Sequence, residues 1–134
     1  MAEQENVALV QQAYAAFGRG DIAAVLQVFA DDIEWVIPGP SDIPFNGTRR
    51  GKQAVGEWFG ILGQNLDFQV FAPQEFIAQG DTVVVLVHSE GTIKRNSRKV
   101  MQDEAHVLTV RNGKVVRFQS FEDTAAVAAA WRGT

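Results

Sequence analysis

Between Met101 and Asp123 the chain reads MQDEAHVLTVRNGKVVRFQSFED, two runs of strand-forming residues on either side of Arg111-Asn112-Gly113. No other segment limits the fold so strongly. Asn-Gly between alternating β-branched and aromatic residues is the strongest short-range signal for an antiparallel hairpin. Two registers are open. Asn112-Gly113 can form a two-residue type I′ loop that pairs Arg111 with Lys114, or Arg111-Asn112-Gly113 can form a three-residue loop with Gly113 in the left-handed region. The two differ by one residue on one arm, which sends that arm's side chains to the other face. The two-residue loop sets Val110, Leu108 and His106 beside Val115, Arg117 and Gln119. The three-residue loop sets Val110, Leu108, His106 and Glu104 beside Val116, Phe118, Ser120 and Glu122. The second is preferred, because only it gives one face an apolar floor. It then gathers Glu104, His106 and Glu122 on that face, and sends Arg117 and Gln119 to the opposite one.

The rest of the chain supplies what such a hairpin would pack against. Val7, Val10, Tyr14 and Phe17 have helical spacing within residues 4–18, and Gly18-Arg19-Gly20 ends that helix. Asp21 is placed to cap a second helix with Ile22, Val25, Leu26 and Phe29 as its apolar stripe. After Asp31-Asp32, the alternation of Ile33, Trp35 and Ile37 predicts a short strand. Pro38 to Pro44 cannot continue a ladder and reads as a loop. A third helix is expected from about Gly51 to Gly63, burying Val55, Trp58, Phe59 and Leu62. Strands are expected near 67–78, 82–93, 99–111 and 114–122, and then a short helix from Thr124 to Trp131 with Asp123 as its cap. The order is helix, helix, short strand, helix, four-stranded antiparallel meander, short helix.

A chain of 134 residues is long enough for one domain with one sizeable core, and no linker or repeat divides it. A formal charge of −4 and the lack of any Lys/Arg run longer than two argue against a nucleic-acid partner, since phosphate recognition needs concentrated positive charge. Zero cysteines exclude disulfides, thiolate chemistry and cysteine metal sites, and fit a reducing compartment. The N-terminus MAEQENVALV has no apolar core of signal-peptide length, and no run reaches the roughly 20 apolar residues of a membrane helix. A cytoplasmic protein without a membrane partner is therefore expected, and Asn46-Gly47-Thr48 is read as a loop rather than a glycosylation site. Val83 to Val87 is apolar on both of its faces, so the helices can cover only one of them. A two-fold homodimer through the other face of the sheet is expected.

The candidate chemistry lies in the hairpin. Glu122 and His106 are the candidate catalytic pair: a carboxyl and an imidazole in an apolar cavity shift one another's proton affinity and can relay a proton. If the preceding hairpin turns symmetrically about Asn96, His88 faces Glu104 on the side that carries His106. His88, Glu104, His106 and Glu122 would then approach a metal-ligand set, although without the helical spacing that makes such a signal strong, and a hydrogen-bonded pair is the preferred reading. Neither a metal nor a cofactor is expected. Tyr14, Phe17, Trp35, Trp58, Phe59 and Phe118 are core residues first. Lining a cavity, they suit a small apolar or polycyclic ligand, with His88 and Glu104 as polar contacts. Asp21, Asp31, Asp32 and Asp123 read as caps or turn residues, and Arg49-Arg50-Gly51-Lys52 as a solvated patch where the third helix starts.

Three stretches in this order, AYAAFGRGDIAAVLQVFADDIEWVIPGP, NGTRRGKQAVGEWF and HVLTVRNGKVVRFQSFEDTAAV, resemble the SnoaL-like, ketosteroid isomerase-related branch of the nuclear transport factor 2-like superfamily. The resemblance spans nearly the whole chain. It implies a cone-shaped α+β domain of the cystatin-like kind: three N-terminal helices on a curved, mostly antiparallel sheet, a short C-terminal helix, a deep pocket and frequent dimerisation. Ketosteroid isomerases pair an Asp base with an oxyanion hole of Tyr and protonated Asp. Aligned on the shared Ala-Asp-Asp segment, the base position falls on Ile37. Aligned on the last hairpin, the oxyanion-hole Asp falls on His106, and Tyr14 matches the helical Tyr only with a one-residue gap. The Asp-Arg-Asp cluster of limonene-type epoxide hydrolases is not found. SnoaL-like polyketide cyclases are similar in using an acidic residue near the end of the last strand, where Glu122 stands, with Asp123 the weaker match.

The expectation is thus a cofactor-independent acid/base enzyme of isomerase, cyclase or hydratase/hydrolase type, acting on a small, mostly apolar metabolite. Glu122 would serve as base or acid, and His106 would orient or protonate a substrate oxygen. The alternative is a non-catalytic small-molecule-binding or dimeric interaction module of the same fold.

Overall fold

The structure, a computed structural model, describes residues 2–134. Its elements are α1 (Ala2–Gly18), α2 (Ile22–Gln27), β1 (Phe29–Ile37), β2 (Gly47–Arg50), α3 (Lys52–Asn65), β3 (Leu66–Gln79), β4 (Thr82–Ile93), β5 (Lys99–Arg111), β6 (Lys114–Phe121) and α4 (Thr124–Arg132). The strands form a six-stranded open sheet in the order β2-β1-β6-β5-β4-β3. Every neighbouring pair is antiparallel except β1 with β6. The sheet curves around the helices, giving the α+β cone that the resemblance implied.

The helices begin where their caps allow. The Asp21 carboxylate accepts from the Ala24 N–H and the Asp123 carboxylate from Ala126, each satisfying an orphan donor of the first turn. Between the helices and the concave face of the sheet lies a core that includes Val10, Val55, Val83, Val85, Leu108 and Val115, all at most 2% exposed. The edge strand β3 tolerates Pro73 because its outer side needs no ladder hydrogen bonds. It bends over the cavity through irregularities at Gln69 and Gln74, each of which lies between paired residues and adds one position to β3.

The last hairpin combines both registers anticipated for it. Its turn is the two-residue one: Arg111 pairs with Lys114, and Asn112 and Gly113 have φ of 52° and 73°. The ladder then slips. Val110 pairs with Val115, but Thr109 pairs with Arg117, so Val116 is an extra residue in a β-bulge. Beyond the bulge Leu108 faces Phe118 and His106 faces Ser120. The expected face is correct, while the expected three-residue turn is not. The bulge, a device absent from the turn's own residues, supplies the one-residue shift.

The hairpin before it corrects a second expectation. Ile93 and Arg98 close a four-residue loop, with Ile93 N–H donating to Arg98 O at 2.8 Å and Ser97 N–H to Ile93 O at 2.8 Å. The loop is centred between Arg95 and Asn96 rather than on Asn96. His88 therefore pairs with Asp103, and Glu104 with Val87. That one-residue difference moves His88 to the outer face of the sheet.

The short strand β2 stands where the sequence pattern predicts loop and helix start. Its residues are polar and lack alternation, and what holds them is pairing with β1, Val36 opposite Thr48 and Glu34 opposite Arg50. Nor is Arg49 merely solvated. Its guanidinium donates to the carbonyls of Pro44 at 2.9 Å, Phe45 at 3.3 Å and Asn46 at 3.0 Å, pinning the preceding loop.

Candidate active site

The concave face, α1, α3, the 38–46 loop and α4 enclose a cavity of roughly 980 Å³, counting its open mouth. Tyr14, Phe17, Trp35, Trp58, Phe59, Glu104, His106, Phe118 and Glu122 all line it. His88 does not. Its imidazole bonds Asp103 at 2.8 Å and Glu90 at 2.7 Å on the outer face. Those two carboxylates raise its pKa, Glu90 first. The metal-set reading falls with it, since the two histidines lie on opposite sides of the sheet.

The walls are aromatic. Trp35 on β1 stacks on Phe118 on β6 at 3.9 Å and 10° between planes, and Trp58 and Phe59 of α3 pack at 5.0 and 5.4 Å from the Trp35 ring. Phe17 packs edge-on against Phe71 at 4.9 Å. The Trp58 indole N–H donates to Phe45 O at 2.8 Å, tying the loop to α3. Buried Trp35 Nε1 finds no acceptor among the described residues. An unmade hydrogen bond of this kind costs about 1–3 kcal/mol, so stacking and burial must offset it.

Two polar groups interrupt this lining. The first is a chain of buried hydrogen bonds across three elements. Ser89 Oγ on β4 donates to Glu104 Oε2 at 2.5 Å; Glu104 Oε1 lies 2.9 Å from His106 Nε2; His106 Nδ1 lies 2.5 Å from the Tyr14 hydroxyl on α1. Ser89, Glu104 and His106 are 2%, 8% and 5% exposed, and Tyr14 is half-buried. Glu104 and His106 meet because they are two apart on one strand and so share a face. The Tyr14 pKa is raised well above that of an ordinary tyrosine, first by burial and then by the charge of Glu104, so it stays a phenol.

The second is Glu122, just past the end of β6. Ser120 Oγ donates to its Oε2 at 2.7 Å, and Gln102 Nε2 to its Oε1 at 3.3 Å. Gln102 is held in turn by the Asp123 N–H at 3.0 Å. Burial, and then the Glu104 charge, push the Glu122 pKa up, against smaller opposing pulls from Ser120, His106 and Gln102. Its neighbour Asp123 caps α4 and is exposed, so the two acidic residues at this strand end divide into a cavity group and a cap.

Sequence reasoning missed Ser89, Ser120 and Gln102. Ser120 and Gln102 were legible in principle by alternation, two residues from Glu122 and Glu104, whereas the face of Ser89 depends on the same loop length that misplaced His88.

The site also shows what is missing. Ile37, at the position of the isomerase base, is buried in the lining and has no group that can take a proton. Arg117, the nearest candidate for a hydrolase arginine, bonds Glu34 at 2.9 Å on the outer face. Residues 10–118 match the SnoaL-like domain. The chain belongs to the SnoaL-like family.

Similar proteins match over nearly the whole chain. An NTF2-like protein of Burkholderia xenovorans LB400 is 38% identical, with a TM-score of 0.88 over 97% of this chain and 98% of its own. TerC, solved as a co-crystal with polyporic acid, is 32% identical, with a TM-score of 0.86 over 96% of this chain and 98% of its own. An uncharacterized protein of Mycobacterium tuberculosis is 29% identical over 132 residues, covering 98% of this chain and 99% of its own. The SnoaL-like frame thus carries the cavity, and the residues inside it are left to give the chemistry.

Proposed function

We propose that this SnoaL-like protein is a cofactor-independent acid/base enzyme of isomerase, cyclase or hydratase/hydrolase type, acting on a small, mostly apolar metabolite held in the aromatic cavity. One observation carries the reading: a carboxyl, Glu122, lines a largely aromatic chamber with its proton affinity raised by burial. A carboxyl tuned upward is suited to give and take protons near neutrality. The co-crystal of TerC supports a cyclic organic ligand as the first to try. His106 has both ring nitrogens engaged by Tyr14 and Glu104, so in this reading it acts through them and not on the substrate directly.

A second reading is a binding module without turnover. It is favoured by the same engagement: both oxygens of Glu104 and both nitrogens of His106 are satisfied within the protein. Glu122→Gln separates the two. With polyporic acid as the binding probe and a panel of polyketide-like substrates for turnover, the enzyme reading expects binding to persist and turnover to fall about 10²–10⁴-fold. Turnover unchanged in Glu122→Gln removes Glu122 from the chemistry, and turnover by neither protein supports the binding module.

We also infer a homodimer through the outer sheet face. Ile77 (47% exposed), Leu86 (36%), Met101 (65%) and Phe121 (52%) stand there on β3, β4, β5 and β6. Exposed apolar side chains spread over four adjacent strands are what a two-fold sheet interface would cover.

A further inference from the structure

We propose that Tyr14, wired through His106 to Glu104, is the cavity's proton acceptor for a ligand hydroxyl, so that the ligand is an enol or phenol rather than a ketone alone. The inference rests on the cavity being a ligand site and adds the class of ligand.

The donors decide it. Glu104 as a carboxylate can only accept, and it accepts from Ser89 at 2.5 Å and from His106 Nε2 at 2.9 Å. Nε2 therefore carries the proton of the neutral imidazole, and Nδ1 is left as an acceptor. Its partner is the Tyr14 hydroxyl at 2.5 Å, which must donate its single proton there. Tyr14 has nothing left to give a ligand. Its oxygen keeps lone pairs at the cavity wall. A ligand carbonyl set against that oxygen would leave two acceptors facing each other, whereas a ligand O–H completes the chain. A tyrosine bonded to a base, itself held by a carboxylate, repeats the logic of a nucleophile–imidazole–carboxylate triad, with Tyr14 handling a proton instead of attacking.

The step balances without any other reactant. The ligand O–H bond breaks and its proton goes to the Tyr14 oxygen. Tyr14's former O–H bond breaks and that proton goes to His106 Nδ1. The ligand becomes an enolate or phenolate, and His106 an imidazolium still donating through Nε2 to Glu104. Other groups around His106 bear on this exchange: Ser89 from β4, which holds Glu104; Ser120 from β6, its cross-strand partner; and Glu122 beyond β6, a second carboxyl whose own proton affinity the imidazole lowers. Phe71 and Phe118, with ring centroids 6.3 and 4.9 Å from the imidazole, bring no charge.

The test uses the full chain with 4-nitrophenol, whose ionisation changes its visible absorption, and 4-nitroanisole, the same ring without the hydroxyl. Bound 4-nitrophenol is expected to show the phenolate band at a pH where the free probe is largely neutral. Histidine ¹⁵N NMR of the wild type is expected to show His106 as the Nε2–H tautomer when free and as imidazolium with the probe. His106→Asn, whose Oδ1 can still accept from Tyr14 at the Nδ1 position but which cannot take up a proton, should bind within about threefold but leave the probe neutral. Tyr14→Phe should weaken 4-nitrophenol about tenfold, the scale of one hydrogen bond, and 4-nitroanisole little. A neutral bound probe in the wild type, an Nδ1–H tautomer in the free protein, or an undiminished phenolate band in His106→Asn overturns the relay. If 4-nitroanisole binds while 4-nitrophenol stays neutral, the relay fails and the apolar site stands. If neither probe binds, the ligand site itself is refuted, and the relay with it.

Discussion

Glu104 is the residue on which the polar half of the cavity turns, because two buried donors end on it. Replacing it with Ala leaves the Ser89 hydroxyl and the His106 Nε2–H unpaired in a site where water has little access. Two hydrogen bonds to a charged group are lost, so Glu104→Ala is expected to cost about 3 kcal/mol in urea unfolding. Glu122 behaves in the opposite sense. Its pKa is raised in the native state, so over the range just above the usual carboxyl titration the folded protein holds more protons than the unfolded chain. Its contribution to stability is fully present at acid pH and lost as pH rises through the raised value. Wild type is therefore expected to lose stability relative to Glu122→Gln as pH rises above the usual carboxyl range, as measured by urea unfolding over a pH series. A parallel pH course for the two proteins would show Glu122 to be indifferent to burial. Glu104, His106 and Glu122 were legible in the sequence because alternation along a strand is rigid. His88 was misplaced because its face depends on whether a loop of ambiguous residues is odd or even in length, and nothing in Lys94 to Arg98 fixes that.

Among the elements, two turns and one edge set the cavity. Asn96, in the loop between β4 and β5, donates to the carbonyls of Ala130 at 2.8 Å and Trp131 at 3.2 Å at the end of α4. Arg95 lies 4.7 Å over the Trp131 ring, and Arg98 donates to Gly133 O at 3.0 Å. A hairpin tip thus clasps the helix whose Val127 closes the cavity. Asn96→Ala is expected to cost about 1–2 kcal/mol and to raise amide exchange in α4 ahead of the sheet, a pattern readable by hydrogen exchange. Gly91 on β4 lies under the bent edge strand. A Cβ there would stand 3.1 Å from Leu66 Cδ1 and 3.3 Å from Asp67 O, and the second of these is backbone that cannot rotate away. Gly91→Ala is expected to destabilise by about 1–3 kcal/mol and to narrow the cavity, seen as weaker binding of the larger ligand of a pair. The helices, the four long strands and both Asp caps were readable locally. The strand β2 and the bulge at Val116 were not, because each exists only through its pairing with another strand.

For the whole molecule, the open question is the outer sheet face. Its charged strip, where Glu34 binds Arg117 at 2.9 Å and Arg50 at 2.7 Å, lies on β1, β2 and β6, beside the exposed apolar residues of β3 to β6. Leu86→Glu sits among the latter, far from the cavity lining. It is expected to convert a dimer to a monomer by sedimentation equilibrium while leaving the binding of cavity probes within about twofold, since like charges facing across a two-fold axis repel. A wild-type monomer at high micromolar concentration would remove the interface.

The sequence by itself determined the class of fold, the elements with local signatures, the absence of thiol chemistry and the sharing of one face by Glu104 and His106. These follow from periodicity, capping and composition, which act over a few residues. Only the tertiary structure decided that His88 faces outward, that Tyr14 from the first helix closes the His106–Glu104 pair, and that the Asn112-Gly113 turn reaches the inward register by way of a bulge. Each of these rests on a contact between residues distant in the chain, Tyr14 and His106 being 92 positions apart. Such contacts are fixed by how a sheet curves and which loop lengths close it, and no local pattern of residues encodes that.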